Sequence, residues 1–504
     1  MINFTKIRKN IGNIRGLIVT GFVTGLAILS SLESFAKPID WSGRFGVSSA
    51  TIDTYRKTSS FNSTRQATSG SQELLDTEGA SKTASIQSFV FRLAPNVIIN
   101  DALSLKAEFS SGVTRGGFLG ENSGTGKNPS AAHALYHFNS NNSQSSALIV
   151  EKAYMELYSD PALYQIGRHS FDWGLGAIYN SGKDIWDHYS FVRDGLTINL
   201  QLGNFYLAPF LGKIGQSTAF LSSSRGEELG VAALYDNKDK EMSVGILYSI
   251  KSTEQMNTTY KSSMGGTEKT LGKSEVKVTD IYLSKTFGPF RFAVEVPFLS
   301  GNLKNVYGTE ETTSFQAKAF LFETEFKLGT RWSVQADFGM IDGQKAETGN
   351  KFSSFSALYL NPNYQKAKIL YRYNLSAVAD AKNQNIFDSY MTNSQYVKLS
   401  TRYKGESWIF NGGVFWAKAK EAAEKNKLSY HHEQHKQFTA LYDQDKDLGL
   451  ELNADITFKW NEEFSVMASG AYLFVGDYFT YTNTTEDLST KNSYLLELKA
   501  SLSF

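Results

Sequence analysis

Long stretches of the sequence alternate between apolar and polar residues, most clearly near the C-terminal end. In residues 448–460 the even positions carry Leu, Ala, Ile, Phe or Trp, and the odd positions carry Gly, Glu, Asn, Asp, Thr or Lys. Successive side chains of a β-strand point to opposite faces, so this pattern predicts a strand with one apolar and one polar face. The segment is also longer than the roughly 5–6 residues of a common globular strand.

The same alternation recurs through the chain, and the connections between alternating segments differ in length. Short turns alternate with long polar stretches such as 56–83, 111–146, 253–275 and 418–446. This rhythm is typical of transmembrane β-barrels, which have short periplasmic turns and long outer loops, and a soluble β-sandwich has no reason to keep it. We predict an all-β, antiparallel transmembrane barrel of 18 strands. The alternative is 20 strands, because residues 361–363 form either a turn between two strands or part of one long loop reaching residue 392.

The first 36 residues have the layout of a secretory signal peptide. A basic start is followed by an apolar stretch over 17–29 and by a small-x-small ending at Ser34-Phe35-Ala36. The apolar stretch is shorter than the roughly 20 residues that a spanning helix needs, although a retained anchor is the alternative. We predict cleavage after Ala36, export through the periplasm, and a barrel formed by residues 37–504.

Charge and composition narrow the classes of partner. The formal net charge is +1, and removal of the leader, with four basic residues and one acid, makes it −2. This balance gives no reason to expect nucleic acid as a partner. The chain contains no cysteine, which excludes disulfides, thiolate metal sites and lipid attachment through cysteine. We expect no cofactor.

Three short motifs resemble outer-membrane porins and the alginate-export family of bacterial outer-membrane channels. They are Gly167-Arg168-His169 with the glycine-rich stretch after it, Phe191-Val192-Arg193-Asp194-Gly195, and the C-terminal segment 451–479. The resemblance implies a barrel in the Gram-negative outer membrane that passes small polar solutes or saccharides passively. Export of a polysaccharide is the alternative that it implies. The polar faces carry acids and bases in mixed numbers, which suits an acidic polymer less well.

The resemblance also implies a candidate site, because the third loop of porins often folds into the lumen and narrows it. We expect residues 174–194 to do this here. Opposed acidic and basic groups across a constriction orient polar solutes and set ion preference. The expected pore-lining residues are Arg168, His169, Asp172, Asp184, Asp187, Arg193 and Asp194. A solvated outer loop with ordinary surface charges is the alternative interpretation.

The chain ends on an alternating strand with an aromatic residue at its terminus. Tyr494 and Leu502 lie on the apolar face of this strand, and Phe504 closes it. This ending resembles the signal that the barrel assembly machinery recognises in outer-membrane barrels. We therefore expect that machinery and the lipid of the outer membrane as partners.

Other chemistries find little support in the sequence. His431, His432 and His435 form a cluster, and a helical spacing of four would make His431 and His435 weak metal ligands. The zinc-protease motif fails because its glutamate would stand at position 432. No serine lies in a Gly-x-Ser-x-Gly elbow, so we expect no enzyme. A barrel enzyme and an adhesin or structural barrel remain as alternatives from other classes, and a closed, loop-filled interior would favour the structural barrel.

Overall fold

The computed structural model describes most of the chain beyond the predicted leader. The described residues are 38–55, 82–111, 115–118, 148–216, 225–253, 259–260, 269–270, 274–304, 312–345, 351–352, 360–371, 390–431, 436–481, 483 and 492–504. The predicted signal peptide, His432 and His435 lie outside these residues.

Eighteen long strands follow one another along the chain. They are β1 (Ile39–Tyr55), β2 (Lys82–Asn100), β3 (Leu103–Ser111), β4 (Leu148–Ser159), β5 (Ala162–Ser170), β6 (Val192–Leu202), β7 (Phe205–Gln216), β8 (Arg225–Asn237), β9 (Met242–Thr253), β10 (Ser274–Phe287), β11 (Phe290–Lys304), β12 (Thr312–Leu328), β13 (Trp332–Ile341), β14 (Ser394–Lys404), β15 (Trp408–Ala419), β16 (Asp447–Lys459), β17 (Phe464–Val475) and β18 (Ser493–Ser503). Shorter elements are Gly116–Phe118, Thr259–Tyr260, Lys269–Thr270, Lys351–Phe352, Leu428–His431, Lys436–Thr439 and the 3-10 helix Asp477–Thr480.

The strands close into one antiparallel barrel. Each pairs with its sequence neighbours, and β18 pairs with β1 from Arg44↔Ser503 to Ile52↔Leu495. Two backbone hydrogen bonds between Gly43 and Phe504, of 2.8 and 3.0 Å, finish this seam. The predicted class and the strand number of 18 are confirmed. The alternative of 20 is wrong, because β13 pairs directly with β14 and no further strand of the barrel lies between them.

The two faces of the wall differ as the alternation predicts. Exposed apolar side chains cover the outward face, among them Trp41, Phe45, Leu229, Ile246, Phe338, Leu399, Trp416, Ile456 and Leu498. Such a band suits the hydrocarbon core of a bilayer. Their strand neighbours point inward and carry the polar and charged groups. In the part of the chain described, no helix is both long and apolar enough to span a membrane.

The connections sort by length between the two ends of the barrel. Two-residue turns such as Gly203–Asn204 and Gly288–Pro289 lie at one end, which corresponds to the periplasm in barrels of this class. The long connections lie at the other end. Two of them return into the lumen, and they position the candidate site: the third, between β5 and β6, and the seventh, between β13 and β14.

Candidate functional site

Residues 171–191, here called the inner loop, lie against inward-facing side chains of the wall. Arg92 of β2, whose side chain is buried, binds one side of this loop. Its guanidinium donates to the carbonyl oxygens of Gly182 (2.7 Å), Asp184 (2.6 Å) and Asp187 (2.7 Å). The turn over residues 182–187 brings these carbonyl oxygens close together, and a planar guanidinium has enough N–H donors to bind all of them.

A second arginine holds the same side of the inner loop. Arg115 is fully buried and donates to the carbonyls of Gly182 (3.1 Å) and Tyr189 (3.2 Å). Its charge is balanced by Glu108 of β3 at 2.7 Å. The indole of Trp186 meanwhile lies close to Gly46 of β1, where a Cβ atom would stand 2.7 Å from the ring. The absence of a side chain at Gly46 therefore makes room for the loop.

The inner loop also reaches strands on a distant part of the wall. The Tyr179 hydroxyl lies 2.8 Å from Ser249 Oγ of β9 and donates to Glu228 of β8 at 3.3 Å. The Leu175 backbone N–H donates to Glu295 of β11. Since β1 and β9 are eight strands apart in an 18-strand barrel, the loop crosses the lumen instead of lying along one side.

Residues 360–371, here called the strap, cover the sector of the wall that the inner loop leaves free. Glu451 of β16 is fully buried and accepts three consecutive backbone N–H groups, from Lys368 (2.6 Å), Ile369 (3.0 Å) and Leu370 (2.9 Å). A carboxylate that accepts several backbone N–H groups forms strong, charge-assisted hydrogen bonds. This residue fixes the C-terminal part of the strap.

Two lysines of the strap point to different strands. Lys366 Nζ lies 2.6 Å from Glu323 of β12 and 3.1 Å from Asp337 of β13. Lys368 Nζ lies 2.5 Å from Asp455 of β16. Burial disfavours the charged form of Lys366, but the two carboxylates outweigh burial and raise its pKa. The Lys366 ammonium therefore stays charged over the whole physiological range.

The inner loop and the strap bind each other. The Asn361 N–H donates to the Ala177 carbonyl at 2.7 Å, and Asn363 Nδ2 donates to the Tyr189 carbonyl at 2.8 Å. The Tyr189 N–H returns a bond of 3.3 Å to the Asn363 side chain. The two segments come from different connections, yet together they form one partition across the barrel lumen.

A polar cavity of about 280 Å³ lies between the strap and the wall, toward the periplasmic half. Its lining includes Lys366, Lys368, Lys398, Arg402 and Asp455. Lys366 and Lys368 are bound to wall carboxylates, whereas Lys398 and Arg402 have no ion pair within the described ranges. The lining therefore carries an excess of positive charge.

The residues predicted to line the constriction divide into three groups. His169 and Arg193 point inward but are buried within the wall. His169 Nε2 lies 2.7 Å from Thr197 Oγ1, and Arg193 binds Glu228 at 2.8 Å while its guanidinium stacks 3.6 Å from the centre of the Phe210 ring. These two side chains stabilise the seat of the inner loop and are closed to a passing solute.

The prediction for Arg168 and Asp194 needs a correction. They pair with each other through two hydrogen bonds of 2.6 and 2.8 Å, and both side chains are 46% exposed. They precede and follow the inward-facing His169 and Arg193 by one residue, so strand alternation directs them outward, away from the lumen. The loop boundary also moves, because residues 192–194 belong to β6.

The three predicted aspartates shape the turns of the inner loop. Asp172 accepts the Ser181 N–H (2.7 Å) and binds Lys183 (2.7 Å). Burial alone would raise the pKa of Asp172, but these partners hold it below its usual value. Asp184 accepts the Trp186 N–H and Asp187 accepts the Asp184 N–H. Burial raises the pKa of Asp187 to about 6 despite that bond and the nearby Arg92 and Arg115.

Sequence reasoning missed the strap entirely. Its polar segment around residues 361–363 raised a question of strand number and gave no sign of an inward path. The available signal was the set of acids on inward faces, Glu323, Asp337, Glu451 and Asp455, which require cations or N–H donors when they are buried. His431 lies in a short strand and not in a helix, and no group of three or more metal-ligating residues occurs among the residues described. His432 and His435 lie outside those residues, so the weak metal site at His431 and His435 stays a prediction.

No family model matches the sequence, and no curated protein matches it. Among solved structures, OpdK of Pseudomonas aeruginosa with vanillate is 8% identical at a TM-score of 0.46, covering 92% of this chain and 98% of that one. OccK2 (OpdF) of the same organism is 7% identical at 0.47, with the same coverage. In-vitro folded OmpT, an outer membrane protein of Vibrio cholerae, is 8% identical at 0.38, covering 94% and 99%. At these TM-scores we draw no functional conclusion, and the resemblance to the alginate-export family stays a hypothesis.

Proposed function

We propose that this chain is a channel of the Gram-negative outer membrane that passes small polar solutes passively, with the inner loop and the strap as its constriction. The observation that carries the proposal is the two-part partition. Two segments are each held by buried charged groups of the wall and meet through the bond from Asn361 to Ala177. Such a partition restricts the passage of solutes through the polar lumen, and no covalent bond is made or broken. The proposal therefore includes no catalytic residue and no cofactor.

The excess of basic groups in the cavity supports a preference for anions. Lys398 and Arg402 are without ion-pair partners among the residues described, and fixed charges on a pore wall concentrate ions of the opposite sign. Export of an acidic polysaccharide, the alternative from the sequence resemblance, would also use such charges. A polymer would require both segments to leave the lumen, so we place this function second.

Single-channel recording of the refolded protein in a planar bilayer tests the channel function. We expect small, stable openings whose reversal potential in a salt gradient shows anion preference. Replacement Lys398→Met should reduce that preference and leave the partition in place. Absence of conductance from a correctly folded barrel would instead favour a structural or adhesive barrel, the class for which a loop-filled interior is the supporting observation.

Cross-linking tests whether the partition sets the width of the pore. The chain has no cysteine, so Ala177→Cys and Asn361→Cys can be introduced without background. A short bifunctional thiol reagent that joins them should remove any openings that depend on separation of the two segments. The single-cysteine variants are the matched controls. Equal conductance before and after cross-linking would exclude the contact as a gate.

Assembly through the terminal strand belongs to the same proposal. Phe504 is bonded to Gly43 at the closing seam, and a Cβ atom at Gly43 would stand 2.3 Å from its ring. Deletion of Phe504 should lower the yield of inserted barrel in cells, while refolding in detergent stays efficient.

A further inference from the structure

Asp280 and Glu295 are two buried acids beside the inner loop that have no ion pair with a base among the residues described. Asp280 of β10 and Glu295 of β11 are both 0% exposed. Both oxygens of Asp280 and Oε1 of Glu295 have no hydrogen-bond donor among the residues described. The two carboxyl groups lie next to each other and interact. Two adjacent buried carboxylates without a cation are unstable, as in the paired acids of aspartic proteases.

The inner loop forms the cover of this acid pair. Leu175 donates its N–H to Glu295, and the left-handed residue Gly174 (φ +59°) lies so close that a Cβ atom would stand 2.5 Å from Glu295 Oε2. Ala177 of the same loop is also buried and lies close to Glu295. The carboxyl groups are therefore shielded from water only while the loop is seated.

Among the residues described, no lysine, arginine or histidine of a neighbouring element forms an ion pair with either acid. The inward-facing titratable groups on these elements include Lys251 of β9, Tyr282 of β10, Arg291 of β11, Glu323 and Glu325 of β12, Tyr179 of the inner loop, and Tyr364 and Lys366 of the strap. Lys251 is directed to Glu228, and Lys366 is directed to Glu323 and Asp337. A metal ion would need more oxygen ligands than two carboxyl groups provide. One proton satisfies the pair directly, since a protonated carboxyl donates to its neighbour.

We propose that Asp280 and Glu295 share a proton while the inner loop is seated, and that loss of this proton at higher pH releases the loop and widens the pore. This inference deepens the proposed function by assigning a regulation to the constriction. The direction of the pH effect follows from the linkage between proton binding and the seating of the inner loop. The seated pair holds one proton that the released, hydrated pair gives up near the usual carboxyl range, so each pH unit above that range weakens seating about tenfold until the seated pair also loses its proton.

The pH-dependent release of the inner loop, here called the latch, can be measured without recording channel conductance. Ala177→Cys places a thiol at a fully buried position of the loop, in a chain with no other cysteine. Its rate of maleimide labelling is divided by that of Asp239→Cys in an exposed turn, which corrects for thiol ionisation. The ratio should rise by up to about tenfold per unit as the pH rises from 6 to 9. In the Glu295→Gln background the ratio should stay low and flat, because the glutamine amide donates to Asp280 as the shared proton did.

Two further variants make the test decisive. Asp280→Asn should also flatten the pH response, and this covers the case in which Glu295→Gln folds poorly. Glu325→Gln, an acid of β12 on the same lumen wall, should keep the wild-type response. A pH response that survives both Glu295→Gln and Asp280→Asn would overturn the proposal, as would a flat response in the wild-type background. If labelling shows the latch but bilayers show no current, the channel function fails and the latch stands.

Discussion

The wall holds the inner loop and the strap with groups of opposite polarity. On the inner loop, Arg92 and Arg115 donate to backbone carbonyl oxygens. On the strap, Glu451 accepts backbone N–H groups, and wall acids bind the side chains of Lys366 and Lys368. A guanidinium binds carbonyl oxygens and a carboxylate binds N–H groups, so both segments are bound to the wall through backbone groups. These bonds restrict movement of either segment along the wall. The two segments should consequently fail under different substitutions.

The largest effect is expected from Glu451→Ala, which removes the acceptor of three strap N–H groups at once. Each buried donor left without a partner costs about 1–3 kcal/mol, so the strap should leave the wall. Single-channel conductance should then rise several-fold, whereas Glu451→Gln, which keeps one acceptor oxygen, should give an intermediate value. Unchanged conductance in a folded Glu451→Ala barrel would show that the strap does not narrow the pore.

Lys366→Met should have the next largest effect. It leaves Glu323 and Asp337 without their shared cation, and breaking a buried ion pair costs about 3–5 kcal/mol when the site cannot take up water. Access of water to the lumen should reduce that cost. We expect frequent short openings and a shift toward cation selectivity. Lys398→Met is the matched control, since it removes a lysine of the same cavity that forms no ion pair with a wall acid among the residues described. It should change selectivity alone. Equal gating in both variants would contradict the role given to Lys366.

Arg92→Ala should loosen the inner loop by a smaller amount, because Arg115 still holds Gly182. Loss of hydrogen bonds from a charged donor is worth about 1.5–3 kcal/mol. We expect noisier open states and faster protease cleavage within residues 181–190. Arg44→Ala is the control, since Arg44 stands opposite Arg92 on β1 and makes no bond to the loop among the residues described. If both variants behave alike, the effect comes from lumen charge and not from the carbonyl contacts.

The barrel could be predicted from the sequence because its physical cause is local. The alternation over 448–460 and the aromatic residue at the C-terminus indicate which face of a strand meets lipid. The number of strands follows from counting the connections. The path of the strap could not be predicted in this way. Residues 360–371 show no period, and their position depends on Glu451 and Asp455, more than 80 residues away in sequence.

The same difference between local features and features that depend on distant residues applies to the individual site residues. The loop near 174–194 was found because glycines and aromatics accompany its charges. The roles of its charges were harder to predict, since a shift of one strand position separates His169, which points inward, from Arg168, which points outward. Arg92 and Arg115 lie far from the loop in sequence. Arg92 could be noticed only as a charge on a polar strand face, and Arg115 lies in the stretch 111–146, which the sequence predicts to be a long polar loop.

The smallest predicted effect separates the two segments by their response to acid. The strap is held by backbone bonds to Glu451 and by lysine ion pairs, and the raised pKa of Lys366 keeps its ion pairs constant across the neutral range. The inner loop contains Asp187, whose burial raises its pKa to about 6 from an ordinary 3.8. The seated loop thus holds a proton that the released loop gives up between about pH 4 and pH 6. Seating is strongest near pH 4, weakens as the pH rises through this window, and is insensitive to Asp187 above it.

Asp187→Asn should remove this dependence, because the asparagine oxygen still accepts the Asp184 N–H and carries no charge at any pH. The measurement is the labelling ratio of Ala177→Cys between pH 4 and pH 6, with a slower reagent at the acid end. Asp184→Asn, in the same turn, should leave the slope in place. A wild-type slope that falls as the pH rises would contradict the assigned direction. A slope confined to the range above pH 6 would leave Asp280 and Glu295 as the source of pH dependence in the inner loop.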